Sequence, residues 1–262
     1  MLTKIKKSIP RKWRIALLKM KYKGNGYYCN CCNSDIKHFI PGNPSPKVIK
    51  EKEIIGAGYY EHDVCPVCKS SYRQRSVMVY LHQSGILEKD IQVLHVAPEP
   101  SLHYVFTGRK NITYRCGDIE PEKYRYYAKA QYLNLLELAF GDNTFDLIVC
   151  NHVLEHIEDD LKAMKELFRV LKPGGTAVLQ VPISWKSEKT FEDPSVRNPE
   201  ERLQLFGQSD HVRIYGKDYI DRLQKAGFIV ELSEPGKYER LYSDKFPKLM
   251  LDPRDKIFAC KK

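Results

Sequence analysis

Four of the eight cysteines stand in two C-x-x-C pairs near the start of the chain. The pairs are Cys29 with Cys32 and Cys65 with Cys68. Two such pairs can present four thiolates tetrahedrally to one Zn²⁺, and this closed arrangement leaves no open position for catalysis. We therefore predict a structural zinc ion that stabilises a small module, with Cys31 outside the ligand set. A recognition role toward nucleic acid or a partner protein is the functional alternative.

A second set of candidate functional residues follows an apolar segment in the middle of the chain. The segment 145–151 ends at Asn151, and His152, Glu155 and His156 come after it. If this stretch continues as a helix, spacings of three and four residues place His152, Glu155 and His156 on one face. Imidazole titrates near neutral pH, so a histidine in such a cluster is a candidate general base.

Strands and helices alternate along the part of the chain that carries these residues. Short apolar segments predict strands at 92–97, 112–116, 130–133, 145–151, 176–181, 228–232 and 256–260. Helical spacing predicts helices at 73–85, 101–108, 159–171 and 219–226, with Ser101 as the cap of the second. This alternation predicts an α/β fold: a Rossmann-like, seven-stranded, mostly parallel sheet with helices on both faces and an antiparallel edge. The cysteine pairs add a small N-terminal zinc-ribbon-like module.

The net charge of +10 is concentrated at the start of the chain. Nine Lys and Arg residues precede the first acid, Asp35, so the remaining chain is near +1. Apolar residues among them predict a short basic amphipathic helix: Trp13, Ile15, Leu17, Leu18 and Met20. Such a helix would contact an anionic membrane surface or a polyanion, or it would be a solvated or packed helix. The near-neutral body makes nucleic acid a less favoured partner.

Composition also bears on where the protein resides. No run of about 18 apolar residues is present, so no membrane span is predicted. The first residues lack the apolar stretch and small-residue cleavage site of a secretory signal. Cys116, Cys150 and Cys260 lie in apolar segments, which suits reduced core thiols better than a disulfide framework. We therefore predict a cytoplasmic protein.

Three parts of the sequence resemble the class I S-adenosylmethionine-dependent methyltransferases of the type 11 family. They are the segments 132–156, 167–175, and 210–216 together with 226–228. The cysteine pairs ahead of this region resemble a bacterial subgroup that couples a zinc module to the same catalytic fold. The resemblance implies that the cofactor binds at the carboxyl ends of the parallel strands. The missing G-x-G-x-x-G argues against a nicotinamide dehydrogenase.

The resemblance also implies a set of cofactor contacts. Asp118, at the end of the second strand, would bind the ribose hydroxyls, and Asn134 would meet the adenine. The first loop departs from the family, because Ala97, Pro98 and Glu99 stand where glycines are usual. Glu99 would balance the cofactor's ammonium group, with His95 as a structural substitute for the family's acid. The predicted cofactor-binding residues are Ala97, Pro98, Glu99, Asp118, Asn134, Leu135 and Asn151.

The histidine cluster has three interpretations within this family. It is similar to the E-x-x-E-H motif of small-RNA 2′-O-methyltransferases and quinone-pathway O-methyltransferases, although histidine replaces the first glutamate. That similarity implies a second divalent metal at His152, Glu155, His156 and His211, which would lower the pKa of the acceptor oxygen. Without a metal, His152 or His156 would be the general base. In the third interpretation, Glu155 and His156 are structural residues. The predicted catalytic residues are His152, His156 and His211.

These observations define the domain organisation and the function that we expect. Residues 1–26 form a basic segment, 27–73 a zinc-binding module and 74–262 the methyltransferase domain. The insertion 182–215 would fold over the active site and form much of the acceptor pocket. We predict O-methylation of a small-molecule or carbohydrate-type (glycan) acceptor. The alternatives are an RNA methyltransferase that binds its substrate through the zinc module, and a non-catalytic zinc-dependent scaffold.

Overall fold

A computed structural model describes residues 11–262. The first ten residues of the predicted basic segment lie outside this range. In chain order the strands are β1 (Lys23–Cys29), β2 (Ser34–Ile36), β3 (Ile54–Ile55), β4 (Ile91–Val96), β5 (Ile112–Asp118), β6 (Gln131–Tyr132), β7 (Phe145–Asn151), β8 (Leu171–Gln180), β9 (Ile183–Ser184), β10 (Phe191–Glu192), β11 (Arg213–Ile214), β12 (Ile229–Ser233) and β13 (Ile257–Lys261). The helices are α1 (Arg11–Tyr22), α2 (Lys47–Glu51), α3 (Tyr72–Gln83), α4 (Pro100–Thr107), α5 (Asp160–Val170), α6 (Pro199–Phe206) and α7 (Tyr219–Lys225).

Seven strands form the central sheet in the order β12-β13-β8-β7-β4-β5-β6. The neighbours from β8 to β6 are parallel, whereas β13 pairs antiparallel with both β8 and β12. The predicted Rossmann-like, mostly parallel sheet with an antiparallel edge is thus confirmed. The chain order reverses at β4, which opens a crevice at the carboxyl ends of β4, β5 and β7, where such folds bind ligands.

Both faces of the sheet are buried, and adjacent residues of a strand point to opposite faces. Leu94 and Ile148 pack in one apolar cluster with residues of α5 and α7. Val93 and Leu147 pack in another with residues of α3 and α4. This double coverage explains why the central strands read as continuous apolar runs rather than as alternating ones.

Two predicted boundaries need correction. Ser101 is not the cap of α4: the helix begins at Pro100 and its cap position is Glu99, because proline suits the first helical position. Strand β8 begins at Leu171 instead of Thr176, since Leu171 already pairs with Phe145 before a register irregularity. Helix α5 has the expected start, where the Asp159 side chain accepts the backbone N–H of Lys162 at 2.9 Å.

The cysteine-rich region and the insertion meet at one end of the molecule. Strand β3, between the two cysteine pairs, forms an antiparallel pair with β9 of the insertion. Helix α2 packs beside α6 of the insertion through Val48, Ile49 and Phe206. Within the insertion, β10 and β11 form a short antiparallel pair on either side of α6 in the chain. Within the range 11–262, no helix is both long and apolar enough to span a bilayer.

Candidate active site and metal centres

A cavity of about 660 Å³ opens at the carboxyl ends of β4, β5 and β7. This cavity, which we call the donor cavity, has a volume typical of small-molecule sites. Its lining includes four predicted cofactor residues and two predicted catalytic ones: Ala97, Asp118, Asn134, Leu135, His152 and His156. Among the described residues, Pro98 and Glu99 do not contribute to this lining. The proline-containing loop therefore leaves the crevice open.

Ala97 adopts the backbone conformation that usually requires glycine. Its φ is +46°, in the left-handed region. Its N–H donates to the carbonyl of Gly117 at 2.9 Å. The next carbonyl, of Pro98, accepts the hydroxyl of Tyr127 at 2.6 Å, which ties the turn to the segment after β5. A small side chain in a left-handed turn thus supplies the close backbone approach for which glycine is usual.

Asp118 and Asn134 line the donor cavity with their polar groups already oriented. The Asp118 carboxylate accepts the Glu120 N–H at 2.8 Å and the Tyr124 hydroxyl at 2.9 Å. Each of its oxygens keeps a lone pair for a further donor. The Asn134 carbonyl oxygen accepts the Leu136 N–H at 3.0 Å. Its amide nitrogen has no hydrogen-bond partner within 11–262 and can serve a ligand.

Glu99 is part of a buried hydrogen-bond network beside the donor cavity. Its carboxylate accepts His95 Nε2 at 2.6 Å, Asn151 Nδ2 at 3.0 Å and Gln74 Nε2 at 3.2 Å. Burial opposes its charge, but the hydrogen bonds from His95, Asn151 and Gln74 prevail and lower the pKa of Glu99. The Asn151 Oδ1 atom is buried without a partner among the described residues. The predicted roles of Glu99 and Asn151 toward a cofactor stay predictions.

A second cavity, of about 580 Å³, lies on the other side of Glu99. Its walls come mainly from four parts of the chain: the loops around α2, the start of α3, the start of α4, and the end of α6. Gln208 lines both this cavity and the donor cavity. His211 lines only the second. We call it the acceptor-side cavity.

Arg73 is a positively charged residue that lines the acceptor-side cavity and that sequence reasoning did not single out. Its guanidinium donates to the carbonyl of Gly56 at 2.9 Å and to Ser71 Oγ at 3.4 Å. Gly56 has a φ of +87°, and a Cβ there would lie 3.0 Å from the ring of His152. A glycine is therefore required where the cysteine-rich region approaches the histidine cluster. No local pattern distinguishes Arg73 from the other basic residues of this region.

The predicted catalytic cluster assembles, but not as one helical face. Glu155, His156 and His211 can each offer a ligand atom within 4.8 Å of the others. His152 lies beside them rather than among them: its Nδ1 is 3.6 Å from Glu155 Oε1. The reason is local, because His152 has a φ of +56° and residues 154–156 form a 3-10 turn. The expectation of one helical face for His152, Glu155 and His156 is therefore wrong.

Contacts with neighbouring oxygen atoms orient two of the histidines. Nδ1 of His211 lies 3.3 Å from the Phe206 carbonyl, so this nitrogen carries the proton and Nε2 is the acceptor. That Nε2 lies 3.9 Å from Glu155 Oε1. His156 Nδ1 is 3.2 Å from Asp210 Oδ2. A ring nitrogen fixed by a second partner is the usual arrangement for metal-binding histidines.

Buried polar atoms without partners identify the centre of the cluster. Glu155 Oε2 and His152 Nδ1 are both buried and make no hydrogen bond to the described residues. Glu155 is 1% exposed. An unpaired buried carboxylate oxygen costs roughly 1–3 kcal/mol, or more when charged. A cation held by Glu155, His156 and His211 would satisfy the unpaired carboxylate oxygen, so the residues present fit a metal ion.

Burial controls the protonation of this cluster in the metal-free protein. It raises the pKa of Glu155 to about 8 and lowers the pKa of His211 to about 4. Burial also holds the pKa of His152 well below its usual value. At neutral pH the metal-free cluster is therefore uncharged, with a protonated carboxyl and neutral imidazoles.

Because Glu155 is buried, we expect the free energy of unfolding to depend on pH when the histidine cluster holds no metal. Unfolding lets Glu155 ionise near its ordinary pKa, whereas the folded carboxyl stays protonated until about pH 8. The contribution of Glu155 to the free energy of unfolding should thus fall with rising pH across that window, by roughly 1 kcal/mol per unit. In urea titrations without added Mn²⁺, Glu155→Gln should lose this contribution to the pH dependence, and the exposed control Glu137→Gln should keep it. Parallel pH profiles for wild type and Glu155→Gln would contradict the assignment.

The four predicted zinc ligands converge in the structure. Their sulfurs lie within 4.8 Å of one another, with Cys29 to Cys68 at 3.6 Å and Cys32 to Cys65 at 3.8 Å. A tetrahedron of thiolates at the usual Zn–S length has edges of about 3.8 Å. The sulfur of Cys31 is not in the group; it lies 3.7 Å from Asn30 Oδ1. The geometry suggests a zinc site in this region.

Comparison with known proteins agrees with this architecture. Residues 92–179 match the family model described as a methyltransferase domain. Among solved structures, an S-adenosylmethionine-dependent methyltransferase from Mesorhizobium loti superposes with a TM-score of 0.51. That superposition covers 73% of this chain and all of the other at 11% identity, which shows a shared fold. The match to a methyltransferase domain covers the chain from β4 to β8, and the superposition shows a shared fold.

The curated relatives match only short stretches. A demethylmenaquinone methyltransferase from Bacillus licheniformis is 39% identical over 62 residues, which is 23% of this chain and 27% of that protein. A ubiquinone/menaquinone biosynthesis C-methyltransferase from Haemophilus ducreyi is 50% identical over 42 residues, 16% of each chain. The chain thus spans about a quarter or less of the length of these relatives. Their names include carbon methylation, so the similarity leaves the methylated atom open.

Proposed function

We propose that the protein is an S-adenosylmethionine-dependent O-methyltransferase for a small or carbohydrate-type acceptor. The observation that carries the proposal is the donor cavity, where Asp118 and Asn134 lie at the strand ends beside the histidine cluster. S-adenosylmethionine, when bound, supplies an electrophilic methyl group. Asp118 would hold the ribose hydroxyls, and the free amide nitrogen of Asn134 would meet the adenine. Ala97 would allow close backbone approach.

The acceptor would occupy the acceptor-side cavity. This cavity adjoins the donor cavity at Gln208, and the Glu155 cluster lies where the two meet. Its lining mixes hydroxyl, amide and charged groups such as Ser45, Gln208 and Arg73 with a comparable share of apolar side chains. Such a lining can hydrogen-bond an acceptor rich in hydroxyl groups. Enclosure between α3, α6 and the loops around α2 would position the hydroxyl and exclude water.

Within this site, a divalent metal and a base would have separate residues. Glu155, His156 and His211 are the three potential ligands, and an ion there would make an acceptor hydroxyl more acidic. His152 would accept the hydroxyl proton. Its Nδ1 faces Glu155, so Nε2 is the nitrogen that remains for the acceptor. Because chemical steps of this kind need mainly alignment, these residues would act chiefly by positioning.

The cysteine cluster would bind Zn²⁺ as a structural ion. All four sulfurs would be ligands, so the ion would stabilise the cysteine-rich region rather than act on the substrate. That region contributes Gly56, Lys69 and the loop before α2 to the acceptor-side cavity. Zinc would therefore shape the acceptor site indirectly.

The metal assignment predicts selective stabilisation by Mn²⁺ of the zinc-loaded protein. Mn²⁺ prefers nitrogen and oxygen ligands over thiolates, so it should leave the cysteine site loaded with zinc. At a hundredfold excess over its dissociation constant, Mn²⁺ should stabilise wild type by about 3 kcal/mol. His211→Ala should abolish the resulting rise in Tm, and the exposed control His38→Ala should preserve it. An equal Mn²⁺ effect in wild type and His211→Ala would place the ion elsewhere.

The proposed activity is tested by transfer of a labelled methyl group. The full-length protein, with Zn²⁺ and Mn²⁺, would be incubated with methyl-labelled S-adenosylmethionine and panels of sugars, nucleotide sugars and phenols. Mass spectrometry should locate the label as an O-methyl ether, and His152→Ala should lose most of the rate. Label found on carbon or nitrogen would refute O-methylation, and label on RNA alone would favour an RNA methyltransferase. Absence of detectable S-adenosylhomocysteine binding, together with no transfer to any class, would favour the scaffold.

A further inference from the structure

Helix α1 packs on the cysteine-rich region with one face only. Ile15, Leu18 and Tyr22 pack against the apolar cluster around the four zinc-site cysteines. Lys19, at the border of this face, donates to the Cys32 carbonyl at 2.8 Å. The helix is thereby held in a fixed orientation relative to the body, and its opposite face is presented to the outside.

The outward face carries an exposed apolar stripe. Trp13, Leu17 and Met20 are 68%, 50% and 68% exposed. Their spacing of four and three residues places them within an arc of roughly 60° on an α-helix. Large apolar side chains aligned in this way on a solvent-facing helix indicate an interaction surface rather than scattered exposure.

Basic residues border the stripe on both sides. At about 100° per residue, Lys12 and Lys19 fall on one side of Trp13, and Arg14 and Lys21 on the other. The helix contains no acid, and the sequence has none before Asp35. An apolar stripe between two basic rows is the pattern of a helix that lies in the plane of a membrane interface.

From this arrangement we propose that α1 docks the protein on an anionic lipid surface. Trp13, Leu17 and Met20 enter the boundary between headgroups and acyl chains, and the flanking Lys and Arg side chains bind lipid phosphates and carboxylates. A nucleic acid would satisfy the cations but offer no apolar layer to the stripe. Membrane binding would place the enzyme beside lipid-linked or membrane-proximal material, independently of whichever atom it methylates.

Vesicle binding by the full chain tests the proposal. Phosphatidylcholine vesicles with and without an equal part of phosphatidylserine would be sedimented with the zinc-loaded protein. Anionic vesicles should retain the wild type, and neutral vesicles should retain far less. The triple variant Trp13→Ser, Leu17→Ser, Met20→Ser should bind anionic vesicles with an affinity at least about tenfold lower than that of wild type. A second triple variant, Lys12→Glu, Arg14→Glu, Lys21→Glu, leaves Lys19 and its contact intact. It should lose affinity for anionic vesicles to the same extent.

A matched control removes apolar residues that are exposed elsewhere. Ile229, Leu232 and Leu241 are 68%, 36% and 47% exposed, and their serine variant should bind vesicles like wild type. The chain has two tryptophans, so Trp185→Phe leaves Trp13 as the sole reporter. Its emission should shift to the blue on anionic vesicles. The proposal would be overturned if the protein did not bind vesicles, or if anionic vesicles retained both serine variants equally. It would also be overturned if polyuridylate retained the protein more strongly than vesicles do and the serine substitutions at Trp13, Leu17 and Met20 did not change that retention.

Discussion

Cys65→Ser should release the zinc ion and destabilise the protein by at least about 3 kcal/mol, since loss of a structural metal is among the most damaging single changes. Cys65 is fully buried. Its backbone closes the second knuckle, because its N–H donates to the Ser70 carbonyl and its carbonyl accepts the Lys69 N–H. A serine oxygen does not replace a thiolate in a tetrahedral sulfur site. Zinc content by atomic absorption and urea unfolding would measure both effects.

Cys31→Ser is the matched control for this prediction. Cys31 lies between the ligands Cys29 and Cys32 in the sequence, yet its sulfur is outside the four-sulfur group. The Cys31→Ser variant should keep one zinc per chain and unfold close to wild type, within about 1 kcal/mol. Full zinc content in Cys65→Ser, or zinc loss in Cys31→Ser, would disprove the ligand set.

Asp118→Ala should weaken binding of S-adenosylhomocysteine by roughly ten- to a hundredfold. The carboxylate would accept hydrogen bonds from ribose hydroxyls, and bonds to a charged acceptor contribute about 1.5–3 kcal/mol each. Isothermal titration calorimetry at fixed zinc gives the affinity directly. Wild-type affinity in this variant would remove Asp118 from the cofactor site.

The control for Asp118→Ala must separate binding from local folding. Asp118 also accepts the Tyr124 hydroxyl, so its loss could disturb the turn after β5. Tyr124→Phe removes that hydrogen bond but keeps the carboxylate in the cavity. It should retain affinity within about fivefold, because the carboxylate that would accept the ribose hydroxyls is unchanged. A large loss in Tyr124→Phe would attribute the effect to the turn.

The central sheet could be predicted from the sequence because its physical signals are local. Buried parallel strands require continuous apolar runs, and their helices require a 3.6-residue period. Both signals are clear in the strand 145–151 and in the helix after Asp159. The positions of Asp118 and Asn134 at the cavity follow from the strand ends once the sheet is known. The sulfur cluster follows likewise from the spacing of Cys29, Cys32, Cys65 and Cys68.

The acceptor side could not be predicted in the same way. Strands β3 and β9 have two residues each, which is too short for any period, and their pairing joins distant parts of the chain. The approach of Gly56, which follows β3, to the ring of His152 depends on that pairing. The left-handed conformation of His152 was also unforeseen, because only the packed structure offsets its backbone strain. Long-range contacts, rather than propensities, therefore determine this part of the site.

The most direct test of the account is a crystal structure of the zinc-loaded protein grown with S-adenosylhomocysteine, supported by calorimetry of the same pair. We expect one molecule per chain in the donor cavity, with the ribose at Asp118, the adenine beside Asn134 and the sulfur turned toward His152. A protein that binds no cofactor product, or binds it outside the crevice at the ends of β4, β5 and β7, would contradict the proposed methyltransferase function.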